Sequence, residues 1–229
     1  MRTVHLRPSA IAAAALLILA GTVAAQDKPT AVLNNLEVRQ LVARAEPADH
    51  VSLVAHFSAL ADRYAAEAKR HVSMSQSFIG NPSRNLGTGM SVHCKRLADL
   101  NTQSATTVRE LVAYHDKLAA GSPATAPPGA TRFQAGAGAP EPTEKELNAL
   151  AAKASTPAEH RALEEYFLTL AKRYTAEANE HVTLAQTYRG TRIAQAAVHH
   201  DRLAGVARDA AKEATAAAEI HKGLAAVAR

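Results

Sequence analysis

Residues 47–78 read PADHVSLVAHFSALADRYAAEAKRHVSMSQSF, and residues 157–188 repeat them as PAEHRALEEYFLTLAKRYTAEANEHVTLAQTY. In both copies a ring occupies every seventh position, in the order His, Phe, Tyr, His and then Phe or Tyr. A seven-residue spacing of ring and apolar side chains marks the buried seam of a helix that packs against other helices. Each copy is therefore predicted to be one long amphipathic helix.

Signals around these segments predict the rest of the architecture. Thr143 and Thr156 each precede a Glu by three residues, which is the capping box that begins a helix. Gly80 ends the first long helix, and further helical patterns cover residues 90–120 and 196–227. Because the connections between long helices are short, each pair is expected to be antiparallel. We predict an all-α protein with two tandem long antiparallel helical hairpins, each preceded by a short helix, that form a four-helix-bundle-like domain.

Composition divides the chain into four segments. Residues 1–25 combine two arginines, an apolar run and a small-residue Val-Ala-Ala end, as a secretory signal peptide does. Residues 26–120 form the first repeat, and residues 143–229 form the second. Between them, residues 121–142 contain five prolines and four glycines and are predicted to be a linker. No lipoprotein cysteine follows the apolar run and no later segment is apolar enough to span a membrane, so we expect a periplasmic or secreted protein.

Several classes of function are disfavoured by what the sequence lacks. The net charge of +5 is spread along helix faces, and the chain has no Trp, which disfavours nucleic-acid binding. Gly-rich phosphate loops, nucleophile elbows and His-Glu-x-x-His motifs are absent, so we expect that the protein is not an enzyme. Glu67 and Glu177 precede their histidines by four residues, whereas di-iron carboxylate bundles need a spacing of three. A flexible linker allows homodimers that exchange hairpins, and any protein partner is unknown.

The feature most informative about function is a set of histidines that both repeats retain. On each helix these histidines share a face with apolar residues, so their rings are predicted to point inward. Antiparallel packing then predicts two layers of four rings, one at each end of the hairpins, and reversal of the second hairpin would mix the two sets. The first layer is His50, His115, His160 and His221, and the second is His71, His93, His181 and His199.

Converging imidazoles are the usual way in which a helical bundle holds a transition metal or haem iron. We treat these eight histidines as candidate metal ligands, with Glu67 and Glu177 as further ligands or as carboxylates that orient the rings. The same register predicts that Glu67 lies level with Arg96, and Glu177 with Arg202. Copper is favoured in an exported protein with soft donors nearby, followed by zinc or nickel. Haem is a further candidate, held without covalent attachment because no Cys-x-x-Cys-His motif occurs.

The sequence therefore supports two hypotheses of different classes. The first is an exported helical bundle that binds a transition metal or haem as a carrier, buffer or sensor. The alternative is a non-catalytic structural or partner-binding protein whose histidines form a buried network with the Glu and Arg residues. Two histidines have no counterpart: we expect His56 to be solvated or flanking, and His200 is a candidate for a surface site with a neighbour such as Asp201. Cys94 is the sole cysteine, which excludes an internal disulfide and leaves its role open.

Overall fold

The computed structural model of the chain describes residues 32–81, 89–120 and 142–228. Six α-helices occupy these ranges: α1 (Asn35–Arg44), α2 (Pro47–Gly80), α3 (Met90–Ala119), α4 (Glu144–Lys153), α5 (Pro157–Arg189) and α6 (Ala197–Val227). No β-strand occurs in the described ranges, and the predicted all-α class is confirmed. The predicted signal peptide, residues 1–25, lies outside the described residues, as do residues 121–141 of the predicted linker.

Three of the helices begin at side-chain caps. Asn34, Thr143 and Thr156 each accept a hydrogen bond from the backbone N–H three residues later, and the Glu at that position reaches back to the N–H of the capping residue. Such reciprocal bonds satisfy donors that the first turn of a helix leaves free. Between α1 and α2, Ala45 adopts a left-handed conformation with φ of 51°, so the chain reverses direction within two residues.

Each pair of long helices forms an antiparallel hairpin. In the first hairpin α2 packs along α3, and in the second α5 packs along α6. Two contacts define the register of the first hairpin, one towards each end. His50 meets His115 near the open end, and Ser75 Oγ donates to the carbonyl oxygen of Ser91 over 2.8 Å near the loop.

The two hairpins lie antiparallel to each other as well. The hydroxyl of Tyr188, at the end of α5, reaches His115 at the end of α3. The ring of Phe57, near the start of α2, lies 5.8 Å from that of His200, near the start of α6. One end of the bundle therefore contains the start of α2 and the end of α5. This orientation is the reversal that mixes the two predicted histidine layers.

Two hydrophobic cores each draw side chains from both repeats. The first core joins α1, the start of α2 and the end of α3 to the end of α5 and the start of α6. The second core joins the end of α2 and the start of α3 to α4, the first half of α5 and the later part of α6. Each short helix also contacts the first long helix of the other repeat, with α1 on α5 and α4 on α2. Neither repeat therefore completes a core alone.

Because the second core spans both repeats, truncating an apolar side chain of α4 should destabilise the whole domain. We expect Leu147→Ala, at a side chain 1% exposed, to lower the free energy of unfolding by about 2–5 kcal/mol. The matched control is Leu36→Ala on α1, which is 55% exposed and should change stability by less than about 0.5 kcal/mol. Urea unfolding followed by circular dichroism measures both. Equal effects of the two substitutions would show that α4 does not close the core.

Candidate functional site

Three pairs of imidazoles face each other inside the bundle. Their Nδ1 atoms are 3.0 Å apart in one pair and 3.3 Å apart in the other two, and all six residues are buried. The rings lie 5.1–5.5 Å apart between centroids, at angles of 28–36°. The pairs are His50 with His115, His160 with His221, and His181 with His200. The first two pairs follow the antiparallel register that the sequence predicts.

The predicted layer of His71, His93, His181 and His199 does not form. His93 Nδ1 instead lies 2.6 Å from Glu213 Oε1, and His199 Nδ1 lies 3.1 Å from Glu110 Oε2. The side chains of His93 and His199 are 24% and 20% exposed, so both lie at the edge of the α3–α6 contact.

The inward positions on α3 and α6 belong to the next residues along the chain. Cys94 and His200 are fully buried, and His200 is the partner of His181. The surface site that the sequence suggested for His200 with Asp201 is therefore wrong. Successive helical residues are 100° apart around the axis, so a small error in phase exchanges an inward neighbour for an outward one.

The buried carboxylates Glu67 and Glu177 link the two hairpins. Arg173 Nη2 donates to Glu67 Oε1 over 2.8 Å, and Arg63 Nη2 donates to Glu177 Oε1 over 2.9 Å. These two ion pairs are related by the repeat, because each joins the same position of α2 or α5 to the other helix. They hold α2 beside α5 in the antiparallel arrangement.

The arginines that the sequence assigns to these carboxylates bind elsewhere. Arg96 Nε lies 3.6 Å from Glu213, and Arg202 Nη1 donates to Glu110 over 2.9 Å. Both arginines are more than half exposed and belong to the α3–α6 edge. The predicted Glu–Arg pairs within each hairpin are therefore wrong. The seam carboxylates face the opposite hairpin, which a periodicity within one hairpin does not reveal.

Tyrosine hydroxyls extend two of the imidazole pairs. The Tyr188 hydroxyl lies 2.8 Å from His115 Nε2, and the Tyr64 hydroxyl lies 3.3 Å from His181 Nε2. Tyr64 also donates to Glu177 Oε2 over 3.3 Å. Because a hydroxyl has one proton, Tyr64 then accepts from Nε2–H of His181. This tautomer leaves a lone pair on Nδ1 of His181, pointing at its partner ring.

Other buried ring nitrogens lack a hydrogen-bond partner within the described part of the chain. They are Nε2 of His200, Nε2 of His221 and Nδ1 of His71, whose Nε2 lies 3.4 Å from Glu67 Oε1. For His221 the reason is visible in the repeat, since Phe78 stands where Tyr188 supplies a hydroxyl to the other pair. A buried polar group without a partner costs about 1–3 kcal/mol. These atoms are thus available for a ligand.

His56 belongs to the buried set, although the sequence predicts a solvated or flanking residue. Its Nδ1 accepts a hydrogen bond from the backbone N–H of Leu33 over 3.0 Å, and its ring meets the edge of Phe57 at 4.9 Å. The expectation of a solvated side chain is therefore wrong. The repeat offers the missing signal, because Tyr166 occupies the corresponding place and both copies carry a ring there.

Most of the buried imidazoles have lowered pKa values, which favours their neutral form. Burial, together with the nearby Arg63 charge, lowers the pKa of His56 and His181 to about 4. Burial also lowers the pKa of His115 and His221 to about 3, with a contribution from the partner ring of each pair. Neutral imidazole is the form that offers a lone pair to a metal ion or a hydrogen-bond donor.

The arrangement defines an all-helical bundle with buried donor pairs. Within residues 32–81, 89–120 and 142–228, no group of three or more His, Cys, Asp or Glu side chains converges on a common point that could hold a metal ion. No helix in the described ranges is long and apolar enough to cross a membrane. Comparisons with protein-family models, with curated proteins and with solved structures found no match to this chain.

The lowered pKa values predict that the metal-free protein loses stability in acid. The unfolded chain takes up protons near pH 6.5, whereas the folded histidines stay neutral until about pH 3–4, so stability is greatest above pH 6.5 and falls through that window. Each such histidine contributes about 1.4 kcal/mol per pH unit. Urea unfolding at several pH values between 7.5 and 4.5, with chelator present, measures the slope.

The control for this prediction is His56→Gln, which retains an acceptor for the Leu33 N–H but does not titrate. We expect the free energy of unfolding of the variant to depend less steeply on pH, with a slope smaller by about 1.4 kcal/mol per pH unit. A stability that does not change between pH 7 and 5 would contradict the neutral, buried state of these rings.

Proposed function

We propose that the protein binds copper(I) through its buried imidazole pairs and serves as an exported copper carrier or buffer. The observation that carries the proposal is the separation of 3.0–3.3 Å between facing Nδ1 atoms. Two nitrogens bonded to one ion at about 2.0 Å lie about 3.3 Å apart at a tetrahedral angle and about 4 Å apart in a linear arrangement. Ring rotations that move the two nitrogens apart by up to about 1 Å would cover this range.

The number of donors favours copper(I) over zinc and nickel. Structural zinc takes four protein ligands, and catalytic zinc takes three with water. Among the described residues no three His, Cys, Asp or Glu side chains converge, and the facing imidazoles come in pairs. Copper(I) is satisfied by two donors, and imidazole is one of its accepted ligands. Burial of the pairs would also protect a bound copper(I) ion from water and oxidants.

The tyrosine contacts support the same assignment. Contact with Tyr64 and Tyr188 at Nε2 can keep the proton of His181 and His115 on that atom. The Nδ1 lone pairs would then face the centre of each pair. Groups that orient a ligand through its second nitrogen are typical of histidine metal sites.

Ring packing favours a bare ion over haem. Phe57 stacks on His115 with centroids 5.5 Å apart and planes 12° apart, and Phe167 stacks on His221 at 5.8 Å and 10°. If two imidazoles hold a haem iron, the porphyrin around that iron needs a wide flat space between the two rings. In these two pairs an aromatic side chain already covers one face of a histidine, and the rings of each pair are themselves in contact.

Export is part of the proposal. The predicted signal peptide, residues 1–25, would place the mature chain in the periplasm or outside the cell. There the protein would hold copper(I) for a protein partner without carrying out catalysis or binding nucleic acid. The predicted linker would permit a homodimer that exchanges hairpins, in which the same pairs would form between chains.

A second candidate function is a structural helical protein whose histidines form a hydrogen-bonded network. The observation that favours it is again the Nδ1 distance, because one protonated Nδ1 can donate to the other at 3.0–3.3 Å. Under this alternative the pairs fix the hairpin register and bind no ion. The two candidates differ in what removal of one ring does to metal uptake.

The first test is anaerobic titration of residues 26–229 with copper(I) against a chromophoric chelator. We expect the single variants His115→Leu, His200→Leu and His221→Leu each to lose one equivalent of copper(I). Ion at 100 times its dissociation constant should stabilise the wild type by about 2.7 kcal/mol per site. The control His199→Gln alters a histidine that faces Glu110 and should retain every equivalent.

Only variants whose circular dichroism spectrum equals that of the wild type are compared. The nitrogen chemical shifts of the wild-type histidines provide an independent measurement that needs no mutation. Copper(I) should shift the Nδ1 resonances of paired rings. Failure of the wild type to take copper(I) from the chelator, with variants that are only less stable, would favour the structural network.

A further inference from the structure

One position of the repeat has exchanged an imidazole for a thiol. In the second hairpin, 21 residues separate His160 from His181 and His200 from His221, and both pairs meet. In the first hairpin, the same spacing of 21 residues leads from His50 to His71 and from Cys94 to His115. Since His50 and His115 meet, the shared register sets His71 level with Cys94.

An independent contact supports this register. Ser75 Oγ binds the carbonyl of Ser91, so the residue one turn after His71 lies beside the residue one turn before Cys94. Both His71 and Cys94 are fully buried. They therefore correspond to the His181–His200 pair in position and in burial.

His71 is oriented on one side and lacks a partner on the other. Its Nε2 lies 3.4 Å from Oε1 of Glu67, which is itself held by Arg173. Its Nδ1, the atom that in His181 meets the partner ring, has no hydrogen-bond partner in the described part of the chain. A carboxylate behind one nitrogen and a free second nitrogen is the arrangement of a metal-ligating histidine.

Sulfur atoms gather around the same level. Met74 lies one turn after His71 on α2, and Met90 lies one turn before Cys94 on α3, so each shares a face with its neighbour. Met74, Met90 and Cys94 are buried in the second core. Apart from Met1, they are all the sulfur-containing residues of the chain.

The second repeat lacks this sulfur set. Its corresponding residues are Leu184, Ala196 and His200, all of them buried. Leu184 and Ala196 are apolar, so packing alone does not require sulfur at the positions of Met74 and Met90. The concentration of sulfur at one level of one hairpin is therefore specific to the first repeat.

We infer that His71 and Cys94, with Met74 and Met90 beside them, form a separate soft-metal site for a thiophilic monovalent cation, copper(I) above all. Thiolate and thioether sulfur select copper(I), and they bind it more tightly than imidazole alone does. On binding, the thiol loses its proton to the solvent and a copper–sulfur bond forms, with no change in oxidation state. The choice of copper(I) rests on the proposed function, whereas the sulfur ligation does not.

The test is anaerobic addition of copper(I) to the mature protein, with near-ultraviolet absorbance and copper-edge X-ray absorption as readouts. We expect thiolate-to-copper absorption to rise with the first equivalent and then to stop. The X-ray spectrum at one equivalent should require a sulfur scatterer at about 2.3 Å. Cys94→Ser should abolish the absorption and remove one equivalent, while Met74→Leu, which copies Leu184, should weaken binding of that equivalent.

The control His221→Leu removes an imidazole pair and no sulfur, so its thiolate absorption should equal that of the wild type. If the wild type shows thiolate absorption but none of the imidazole-pair variants loses an equivalent of copper(I), the result would support this site and refute the proposed imidazole sites. Wild-type X-ray spectra that need only nitrogen scatterers, or equal copper uptake by Cys94→Ser, would overturn this inference whatever the imidazole pairs bind. The X-ray measurement requires no variant, so poor folding of Cys94→Ser cannot leave the question open.

Discussion

The imidazole contacts between antiparallel helices set the register on which the rest of the structure depends. His50 with His115 and His160 with His221 hold the two hairpins in the same alignment, with Nδ1 atoms 3.0 and 3.3 Å apart. A shift of either helix by one turn, 5.4 Å, would separate these atoms and leave buried nitrogens without partners. The aromatic rings stacked on them would lose their contacts as well. The helix register, the packing of the cores and the geometry of the nitrogen donors therefore all depend on these two imidazole contacts.

The repeated heptad of rings was sufficient to predict the helices and the burial of most histidines, because side-chain period follows directly from helix geometry. It was not sufficient to decide between His199 and His200, which differ by 100° around one axis. Nor could it identify Arg173 as the partner of Glu67, since a pattern within one hairpin contains no information about the orientation of the other. Those two errors concern the candidate site more than the fold, because in the site residues one position apart have different chemistry.

Burial gives the histidines their chemical character. Rings removed from water remain neutral, and neutral rings can act as ligands or as hydrogen-bond partners. The same burial makes an unpaired nitrogen costly, so the Nδ1 atom of His71 and the Nε2 atoms of His200 and His221 are not explained by packing alone. In the first repeat, Cys94 and two methionines add sulfur to this environment, and the two ends of the bundle consequently offer different donors.

The sharing of both cores between the repeats makes this chain equivalent to a dimer whose two subunits have been joined end to end. In a dimer of identical subunits, every residue at one end of the bundle would recur at the other end. A cysteine that faces a histidine in one subunit would then also face the equivalent histidine in the second subunit. Joining the subunits in one polypeptide removes that symmetry. Cys94 and His200 can then differ while the surrounding helices keep the same packing, so the fold permits two chemistries within one scaffold.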